Sequence, residues 1–389
     1  MSYKRIFVIV ADSLGVGASK DAVKYGDEGT NTLKHLSYSK KDFSIPTLEK
    51  LGIGNLTDVN NVKAVNDPIA SFGKMEELSV GKDTLTGHWE LMGLEVLTPF
   101  PSFTDTGFPQ ELIDKIEEES ERKVVGNISA SGTEIIKELG EEHIKEGNII
   151  VYTSADSVLQ IAAHEEVVPL DELYRICEFA RRITIENKEW MVGRIIARPF
   201  VGNNKDDFVR TVNRKDFALK PFDKTVLDHL KKNGNDVIAI GKINDIFNGE
   251  GITEFSKTKS NHDGMMQTIE TTKRDFNGLC FVNLVDFDAK FGHRRNALGY
   301  AESLEEFDQD LALLLPYIKD EDLLIICADH GNDPTHIGTD HTRENVPLLV
   351  YNPNLQAKDL GLRKTFADVA ATIAENFNVK MPQIGKNIF

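Results

Sequence analysis

Short apolar runs alternate with amphipathic segments in the first quarter and in the second half of the chain. The runs have the length and the β-branched content of buried strands, and they cover residues 6–10, 236–240, 278–285, 322–327 and 348–351. Helical periodicity accompanies them at residues 30–56 (two short helices), 226–233, 264–272, 300–317 and 366–377. This alternation predicts an α/β fold with a doubly wound, mainly parallel sheet.

The part of the chain between these two regions has a different pattern. Its predicted elements are helices at residues 110–122 and 170–182 and strands at residues 148–154, 158–163 and 191–199. Short mixed elements of this kind are typical of an α+β module. We therefore expect a core domain made of residues 1–97 and 217–389, with residues 98–216 inserted as a second domain.

Composition and charge exclude several classes of function. The 389 residues carry a formal net charge of -17, which opposes binding to nucleic acid or to an anionic membrane. The three cysteines lack a C-x-x-C spacing, so a reducing compartment fits better than a disulfide framework. No run approaches the roughly 20 apolar residues of a membrane span, and the amino-terminal run is too short for a signal peptide. We expect a cytoplasmic monomer that acts on small molecules.

Carboxylates and histidines follow three of the predicted strands. They are Asp12 after the first strand, Asp286, Asp288 and His293 after the strand at 278–285, and Asp329 and His330 after the strand at 322–327. In open α/β sheets, ligands bind at the edge where parallel strands have their carboxyl ends. A lone loop histidine is more often bonded to backbone than to metal. Residues 329–341, however, hold three histidines and three aspartates, and this donor set suits manganese, zinc or iron better than calcium.

The stretch G-K-D-T-L-T-G-H-W-E-L-M-G at residues 81–93 places two threonines at the start of a predicted helix. A hydroxyl in this position most often caps the helix. Beside a metal it can instead be a nucleophile, and a helix N-terminus stabilises an attached phosphate. The stretch alone leaves both interpretations of Thr84 open. Two metals at the sheet edge could clamp an in-line phosphoryl displacement, and Thr84 would then be the best-placed nucleophile.

Cations are concentrated in and just after the inserted module of this acidic chain. They are Arg194, Arg198, Arg210, Arg214 and Lys220. Scattered arginines are usually surface residues, but a guanidinium group binds phosphate through two parallel hydrogen bonds. We therefore expect phosphate to bind in this region.

Five stretches together resemble the phosphopentomutases of the alkaline phosphatase superfamily. They are V-A-D-S-L-G-V-G, G-K-D-T-L-T-G-H-W-E, S-A-D-S-V-L-Q-I-A-A-H-E-E, N-L-V-D-F-D-A-K-F-G-H-R-R and A-D-H-G-N-D-P-T-H-I-G-T-D-H-T-R-E, and they span essentially the whole chain. The resemblance implies an alkaline-phosphatase-like core with an inserted cap, two Mn²⁺ ions, and a sugar bisphosphate activator such as ribose 1,5-bisphosphate or glucose 1,6-bisphosphate. It also implies exchange between ribose 1-phosphate, or 2-deoxyribose 1-phosphate, and the 5-phosphate.

The resemblance further implies roles for individual residues. One metal would be held by Asp288, His293 and His341, and the other by Asp12, Asp329 and His330. Thr84 matches the residue that carries the phosphoryl group. The residues that match positions facing the sugar phosphate are Ser154, Asp156, Val158, Arg194 and Ile196, with Arg210 and Lys242 as phosphate partners. Asp286 and His336 fall outside the matched ligand set.

Two other kinds of function compete with this one. A two-metal phosphatase or a cofactor-independent phosphoglycerate mutase shares the metal ligands, although the motif S-A-D-S-V-L-Q-I-A-A-H speaks against both. A metal-binding or sugar-phosphate-sensing protein without catalysis could keep the same fold. The nucleophile position and all six ligand positions are present, which favours the enzyme.

Overall fold

The computed structural model describes residues 2–154 and 157–389. The strands, numbered in chain order, are β1 (Arg5–Ala11), β2 (Ser71–Met75), β3 (Val124–Ser129), β4 (Ile149–Thr153), β5 (Val158–His164), β6 (Arg194–Val201), β7 (Val209–Arg210), β8 (Lys215–Ala218), β9 (Asp236–Ile240), β10 (Glu254–Ser256), β11 (Gly278–Leu284), β12 (Asp322–Cys327), β13 (Val346–Tyr351) and β14 (Asp359–Arg363). The helices are α1 (Thr32–Tyr38), α2 (Pro46–Leu51), α3 (Thr84–Leu91), α4 (Gln110–Ser120), α5 (Gly132–Glu146), α6 (Leu170–Glu186), α7 (Val226–Lys232), α8 (Ile243–Ile246), α9 (Asn261–Thr272), α10 (Ala297–Leu314) and α11 (Asp368–Asn376).

The chain folds into two compact units. Unit 1 contains the residues up to Thr98 together with Lys220–Phe389, and unit 2 is Pro99–Leu219. Among the described residues, none of the helices is both long and apolar enough to cross a bilayer.

Unit 1 is built around an eight-stranded sheet in the order β10-β9-β11-β1-β12-β13-β2-β14. The five strands from β10 to β12 run parallel, whereas β13 runs antiparallel to both of its neighbours. Helices α1, α2 and α9 pack with α10, and α7, α3 and α8 form a second group with α11. The prediction of a doubly wound α/β fold is confirmed.

Strand β1 lies between β11 and β12, and its register with them fixes where the three strands end. All seven of its residues are buried, as expected for a strand between two neighbours with helices on the sheet. Ala11 pairs with Leu284 at the end of β11, and Val10 pairs with Cys327 at the end of β12. The residues that follow these three strands therefore leave the sheet at the same level.

Unit 2 has a six-stranded mixed sheet in the order β3-β4-β5-β6-β7, with β8 also paired to β6. Inward residues of α4 and α6 form one apolar core with one face of the sheet. Inward residues of α5 form a smaller core with part of the opposite face. Strand β4 is parallel to β3 and antiparallel to β5, which agrees with the mixed architecture expected for the inserted module.

Several elements differ from the sequence-based expectation. The strand predicted from residue 191 begins at Arg194, because Lys188–Trp190 forms a 3-10 turn ahead of it. Helix α5 and strands β2, β3 and β14 were not predicted. Strands β3 and β14 are at least half-exposed, and glycine and polar residues interrupt their apolar positions, so they lack the continuous apolar run that marks a buried strand.

Candidate active site

The six predicted metal ligands lie at the edge where β1, β11 and β12 end. Asp12 directly follows β1, and Asp329 comes two residues after β12. Asp288 lies in a π-helical segment, Phe287–Gly292, that follows β11. The structure sorts the six residues into two groups, and within each group the potential ligand atoms lie within 4.8 Å of one another.

The first group consists of Asp288, His293 and His341. His293 Nε2 lies 3.1 Å from Asp288 Oδ2, and His341 Nε2 lies 3.4 Å from Asp288 Oδ1. The two Nε2 atoms are 3.1 Å apart. Two imidazole nitrogens and two carboxylate oxygens thus converge on one point.

The second group consists of Asp12, Asp329 and His330, all of them buried. His330 Nε2 lies 3.6 Å from Asp12 Oδ1 and 3.2 Å from Asp329 Oδ2. The ring centroids of His330 and His341 are 3.9 Å apart, with the ring planes inclined by 32°, so the two groups are neighbours. They form one site with two centres.

Hydrogen bonds around the site fit divalent cations. His293 Nδ1 donates to Thr339 O at 2.7 Å and His330 Nδ1 donates to Gly331 O at 3.0 Å, because a carbonyl oxygen can only accept. This tautomer leaves Nε2 of each ring as a metal-binding lone pair. Asp12 Oδ1 and Asp329 Oδ2 are buried and have no hydrogen-bond partner. Cations at the two centres would satisfy these oxygens.

The electrostatics of the site favour positive charge. Burial, together with the carboxylates of Asp329 and Asp288, raises the pKa of Asp12 to about 7. Burial opposes the charged form of His330, but Asp329 and Asp12 outweigh it and raise the pKa of His330 to about 9. Although burial opposes ionisation of Asp288, the imidazoles of His341 and His293 hold its pKa well below the usual range. Such a cluster retains protons that divalent cations would replace.

Thr84, the first residue of α3, points its hydroxyl at this site. The N-cap of α3 is Asp83, whose Oδ1 accepts hydrogen bonds of 3.1 Å from the amides of Leu85 and Thr86. The capping alternative for Thr84 is therefore wrong. Its Oγ1 lies 3.2 Å from His330 Nε2 instead.

Three further residues that the sequence did not single out hold these groups in place. Asn283 Nδ2 donates to Asp12 Oδ2 at 2.7 Å and lies 3.3 Å from His88 Nε2. His88 Nδ1 donates to Thr84 O at 2.9 Å, and Asn332 Nδ2 donates to Asp288 Oδ1 at 2.7 Å. Of these three residues, Asn283 could have been noticed in the sequence, because it is a polar residue within the apolar strand G-L-C-F-V-N-L.

Most of the residues predicted to face the sugar phosphate belong to unit 2. Val158 pairs with Arg194 and Gln160 pairs with Ile196 across β5 and β6. Gln160 Nε2 donates to Ser154 Oγ at 3.5 Å, so Ser154 lies at the same end of the sheet. Val158 and Ile196 are buried and Arg194 is half-buried.

The other predicted residues lie elsewhere in the chain. Arg210 is exposed on β7, opposite Phe200. Lys242 belongs to unit 1, where it is half-buried two residues after the end of β9. Asp156 lies outside the described residues.

Asp286 and His336, which fall outside the expected ligand set, have other hydrogen-bond partners. Asp286 Oδ2 accepts hydrogen bonds from Asn261 N at 3.2 Å and Lys290 Nζ at 2.8 Å. His336 Nε2 donates to Gly26 O at 3.1 Å. The structure thus places both away from the two centres.

The superfamily of the chain can be identified from its similarity to known proteins. A sequence profile of the Metalloenzyme superfamily matches residues 4–381. The solved structure of the PH0037 protein from Pyrococcus horikoshii is similar in fold, with a TM-score of 0.51 and 14% identity, covering 97% of this chain and 98% of that one. The chain is therefore a member of the metalloenzyme superfamily. Divalent-metal binding is supported by this membership and by the two groups of candidate ligands.

The particular family follows from closer relatives. The phosphopentomutases of Clostridium beijerinckii and Clostridium tetani are each 59% identical to the chain, and each alignment covers 99% of this chain and 98% of the relative. The chain belongs to the phosphopentomutase family. The resemblance to phosphopentomutases is confirmed, as is the prediction of an isomerase of the intramolecular phosphotransferase class.

Proposed function

We propose that the protein interconverts ribose 1-phosphate, or 2-deoxyribose 1-phosphate, and the corresponding 5-phosphate through a phosphothreonine at Thr84. A sugar bisphosphate, ribose 1,5-bisphosphate or glucose 1,6-bisphosphate, would first phosphorylate Thr84. The proposal takes its substrate from the phosphopentomutase relatives and its residues from the site. The protein would act as a cytoplasmic monomer on small sugar phosphates, without nucleic acid or membrane.

The observation that carries the proposal is the position of the Thr84 hydroxyl. Thr84 Oγ1 lies 3.2 Å from His330 Nε2, beside the two groups of candidate metal ligands. The side chain of Asp83, not that of Thr84, caps α3. His88 bonds the carbonyl of Thr84, which fixes the backbone that carries the hydroxyl. A nucleophile needs this combination of a hydroxyl that is not used to cap its helix and a fixed geometry.

Asp288, His293 and His341 would hold one cation, and Asp12, Asp329 and His330 the other. Two divalent cations, which we propose to be Mn²⁺, would supply the positive charge that stabilises a transferring phosphoryl group. The phosphoryl group on Thr84 Oγ1 passes to the free hydroxyl of the pentose monophosphate, and the proton of that hydroxyl ends on Oγ1 in the net balance. The resulting 1,5-bisphosphate reorients and returns its other phosphoryl group to Thr84.

Unit 2 would act as a cap on this chemistry, with the domain boundaries after residues 97 and 216. Ser154, Val158, Arg194 and Ile196 would orient the sugar, joined by Asp156, and Arg210 and Lys242 would bind the phosphate that is not being transferred. Excluding water matters in a mutase, because phosphothreonine that reaches water is hydrolysed instead of transferred.

A product analysis tests this function. The manganese-loaded protein is incubated with ribose 1-phosphate and a trace of glucose 1,6-bisphosphate, the metal is removed with a chelator, and phosphorus NMR identifies the products. We expect ribose 5-phosphate, in amounts that depend on both the metal and the bisphosphate. Free phosphate without ribose 5-phosphate would mean a phosphatase, and no product at all would favour the sensing protein.

Matched variants assign the nucleophile. Thr84→Val keeps the shape of the side chain and removes the hydroxyl, so turnover should disappear while bound metal, measured by elemental analysis, is retained. Thr86→Ser is the control, because the Thr86 hydroxyl donates to Asp83 and serine keeps that bond. Full turnover in Thr84→Val would refute the assignment.

A further inference from the structure

Arg295 joins the two segments of the chain that carry the first group of candidate ligands. Asp288 and His293 lie in one segment, and His341 lies in the other. The side chain of Arg295, two residues after His293, donates hydrogen bonds to neutral oxygens in both segments. The acceptors are the carbonyl oxygens of Gly292, Asp333, Gly338 and Asp340 and the side-chain oxygen of Asn332.

The bond to Asn332 fixes the contact of this buried amide with Asp288. Arg295 Nη1 donates to Asn332 Oδ1 at 2.6 Å, and Asn332 Nδ2 donates to Asp288 Oδ1 at 2.7 Å. A guanidinium group can only donate and a carboxylate can only accept, so a single orientation of the amide serves both neighbours. Removal of Arg295 would leave both orientations open, and one of them turns the amide oxygen towards the Asp288 carboxylate.

The bonds to Gly338 and Asp340 hold the loop that leads into His341. Residues 337–340 are exposed and contain neither helix nor strand, so their position depends on hydrogen bonds more than on packing. Arg295 Nε donates to Gly338 O, and Arg295 Nη2 donates to Asp340 O at 3.0 Å. Arg295 therefore positions the residue that directly precedes His341.

The same two bonds fix the orientation of the His293 ring. Thr339 lies between the two residues whose carbonyl groups Arg295 bonds, and its own carbonyl oxygen accepts the 2.7 Å hydrogen bond from His293 Nδ1. That bond sets the tautomer in which the Nε2 lone pair is directed at a metal. Each of the three ligands in the first group thus depends on a contact that Arg295 holds.

The second group of candidate ligands, Asp12, Asp329 and His330, is held differently. Its side chains are bonded to Asn283 Nδ2, Ser13 N and Gly331 O. In the part of the chain that the structure describes, none of these three partners is bonded to Arg295. A change at Arg295 should therefore act on one centre of the site and not on the other.

We propose that Arg295 is a positioning residue for the first metal centre. It holds Asn332, the loop around Thr339 and the approach to His341 in the geometry that metal binding needs. A positive charge close to a metal site opposes metal binding, so its charge alone predicts that removing Arg295 strengthens binding. Positioning predicts the opposite sign. The inference rests on the two metal centres of the proposed function.

Metal titration of matched variants tests this role. Metal-free full chains of wild type, Arg295→Gln and Arg294→Gln are titrated with Mn²⁺ by calorimetry, and electron paramagnetic resonance measures the unbound Mn²⁺. We expect wild type to bind two ions. Arg295→Gln should bind one ion as tightly as wild type does and the other about tenfold to a hundredfold more weakly. Arg294→Gln removes the same charge from the exposed neighbour and should bind both ions normally.

A double variant identifies the centre that is affected. His293→Gln removes a ligand of the first group, so the ion that still binds tightly occupies the second centre. Adding Arg295→Gln to this variant should leave the affinity for the remaining ion unchanged. A general loosening of unit 1 would weaken the binding of that ion as well, and this result would overturn the proposal.

Arg295→Lys separates charge from geometry and provides a second test if thermal unfolding shows that Arg295→Gln is not folded. Lysine keeps the positive charge but loses the planar set of donors that reaches several acceptors at once. Positioning predicts that Arg295→Lys also weakens binding of the first-centre ion, by about tenfold. Wild-type affinity in Arg295→Lys would contradict it.

The outcomes separate this inference from the proposed function. Equal or tighter Mn²⁺ binding by Arg295→Gln overturns the positioning role. Fewer than two ions bound by wild type would overturn the metal assignment and this inference together. Failure of the mutase alone would appear as absence of ribose 5-phosphate from the manganese-loaded wild type, with the metal titrations unchanged.

Discussion

Neighbouring side chains in the first turn of α3 have different tasks. Asp83 accepts the free amides of the helix, and Thr84 is left to face His330. His88, one turn further on, bonds the Thr84 carbonyl and lies 3.3 Å from Asn283, which in turn bonds Asp12. A short path of hydrogen bonds therefore connects the nucleophile proposed above to the metal site.

Asn283→Ala tests this path. The change removes the donor to Asp12 Oδ2, and loss of such an outer contact typically weakens metal binding by about tenfold to a hundredfold. We expect the dissociation constant for Mn²⁺, measured by calorimetry, to rise by this factor. The control is Asn352→Ala, because Asn352 is equally buried but donates to backbone carbonyls at residues 319–322. Unchanged Mn²⁺ affinity in Asn283→Ala would contradict the path.

The sequence reveals the candidate ligands more readily than the residues that support them. Asp12 and Asp329 could be grouped because each follows an apolar run, and parallel strands end at a common edge. Asn283 stands out as a polar residue within an apolar strand, but an amide or a histidine can be satisfied by many neighbours, so its role and that of His88 could not be predicted. Their partners depend on how α3 packs against β11, which no local pattern in the sequence specifies.

At the scale of elements, α3 approaches the loop after β12 very closely. A Cβ on Gly87 would lie 2.1 Å from Asp329 O, so only glycine allows this contact. The close approach brings Thr84 to His330. One small residue in the middle of α3 thus allows the close approach of this helix, which carries Thr84, to the loop after β12.

Gly87→Ala should separate the helix from the loop. We expect destabilisation of about 1–3 kcal/mol from overpacking, and a fall in kcat of about a hundredfold, as displacements of about 1 Å can cause. The control is Gly264→Ala in α9, where the nearest neighbour is a Leu284 methyl group at 3.0 Å that can move. Normal kcat in Gly87→Ala would show that this contact does not position Thr84.

His143 joins α5 to the sheet of unit 2 and makes this unit sensitive to acid. Its Nδ1 donates to Asn148 O at 2.5 Å, and its Nε2 accepts from His164 N at 2.8 Å. Burial lowers the pKa of His143 from 6.5 to about 4. The unfolded chain therefore takes up a proton that the folded protein does not.

This difference predicts the pH range of the instability. Stability is complete above the unfolded pKa of about 6.5, and up to about 3 kcal/mol is lost as the pH falls to about 4. Urea unfolding of wild type and His143→Gln between pH 7 and pH 4 measures the effect. The variant should be less stable at pH 7 but lose less on acidification. An equal loss of unfolding free energy in wild type and His143→Gln would contradict the prediction. The control is His262→Gln, a change at a half-exposed histidine.

Elements were predictable where burial gave them a pattern. Strands β1, β11 and β12 are buried throughout and mostly apolar, so their positions and their parallel arrangement could be predicted. Strand β3 is half-exposed and has a register shift between Gly126 and Ile128, so its alternation is broken. The start of α5 was missed although S-G-T-E at residues 131–134 has the spacing of a capping box, a bond that the serine does not make in the structure.

At the scale of the whole molecule, the candidate ligands come from both ends of the sequence. Asp12 lies near the amino terminus and His341 near the carboxyl terminus, so cations would join segments that are far apart in the chain. Burial, and after it the charges of the Asp329 and Asp288 carboxylates, raise the pKa of Asp12, so negative charge at this site is unfavourable without cations. Metal should therefore stabilise unit 1 as a whole.

Thermal unfolding with and without Mn²⁺ checks this expectation. At a free Mn²⁺ concentration of about 100 times the dissociation constant, wild type should gain about 2.7 kcal/mol for each ion bound. Asp12→Asn removes one of the repelling charges, so without metal it should be at least as stable as wild type, and it should gain less from Mn²⁺. If Asp12→Asn gained as much from Mn²⁺ as wild type does, Asp12 would not be a ligand.

The proposed mutase depends on Thr84 carrying the phosphoryl group. The direct measurement is peptide mass spectrometry of the manganese-loaded protein after brief exposure to glucose 1,6-bisphosphate and an acid quench. We expect one added phosphoryl group, located on Thr84 and lost when ribose 5-phosphate is added before the quench. Sustained conversion of ribose 1-phosphate to ribose 5-phosphate with no phosphate on Thr84, or with phosphate on another residue, would contradict it.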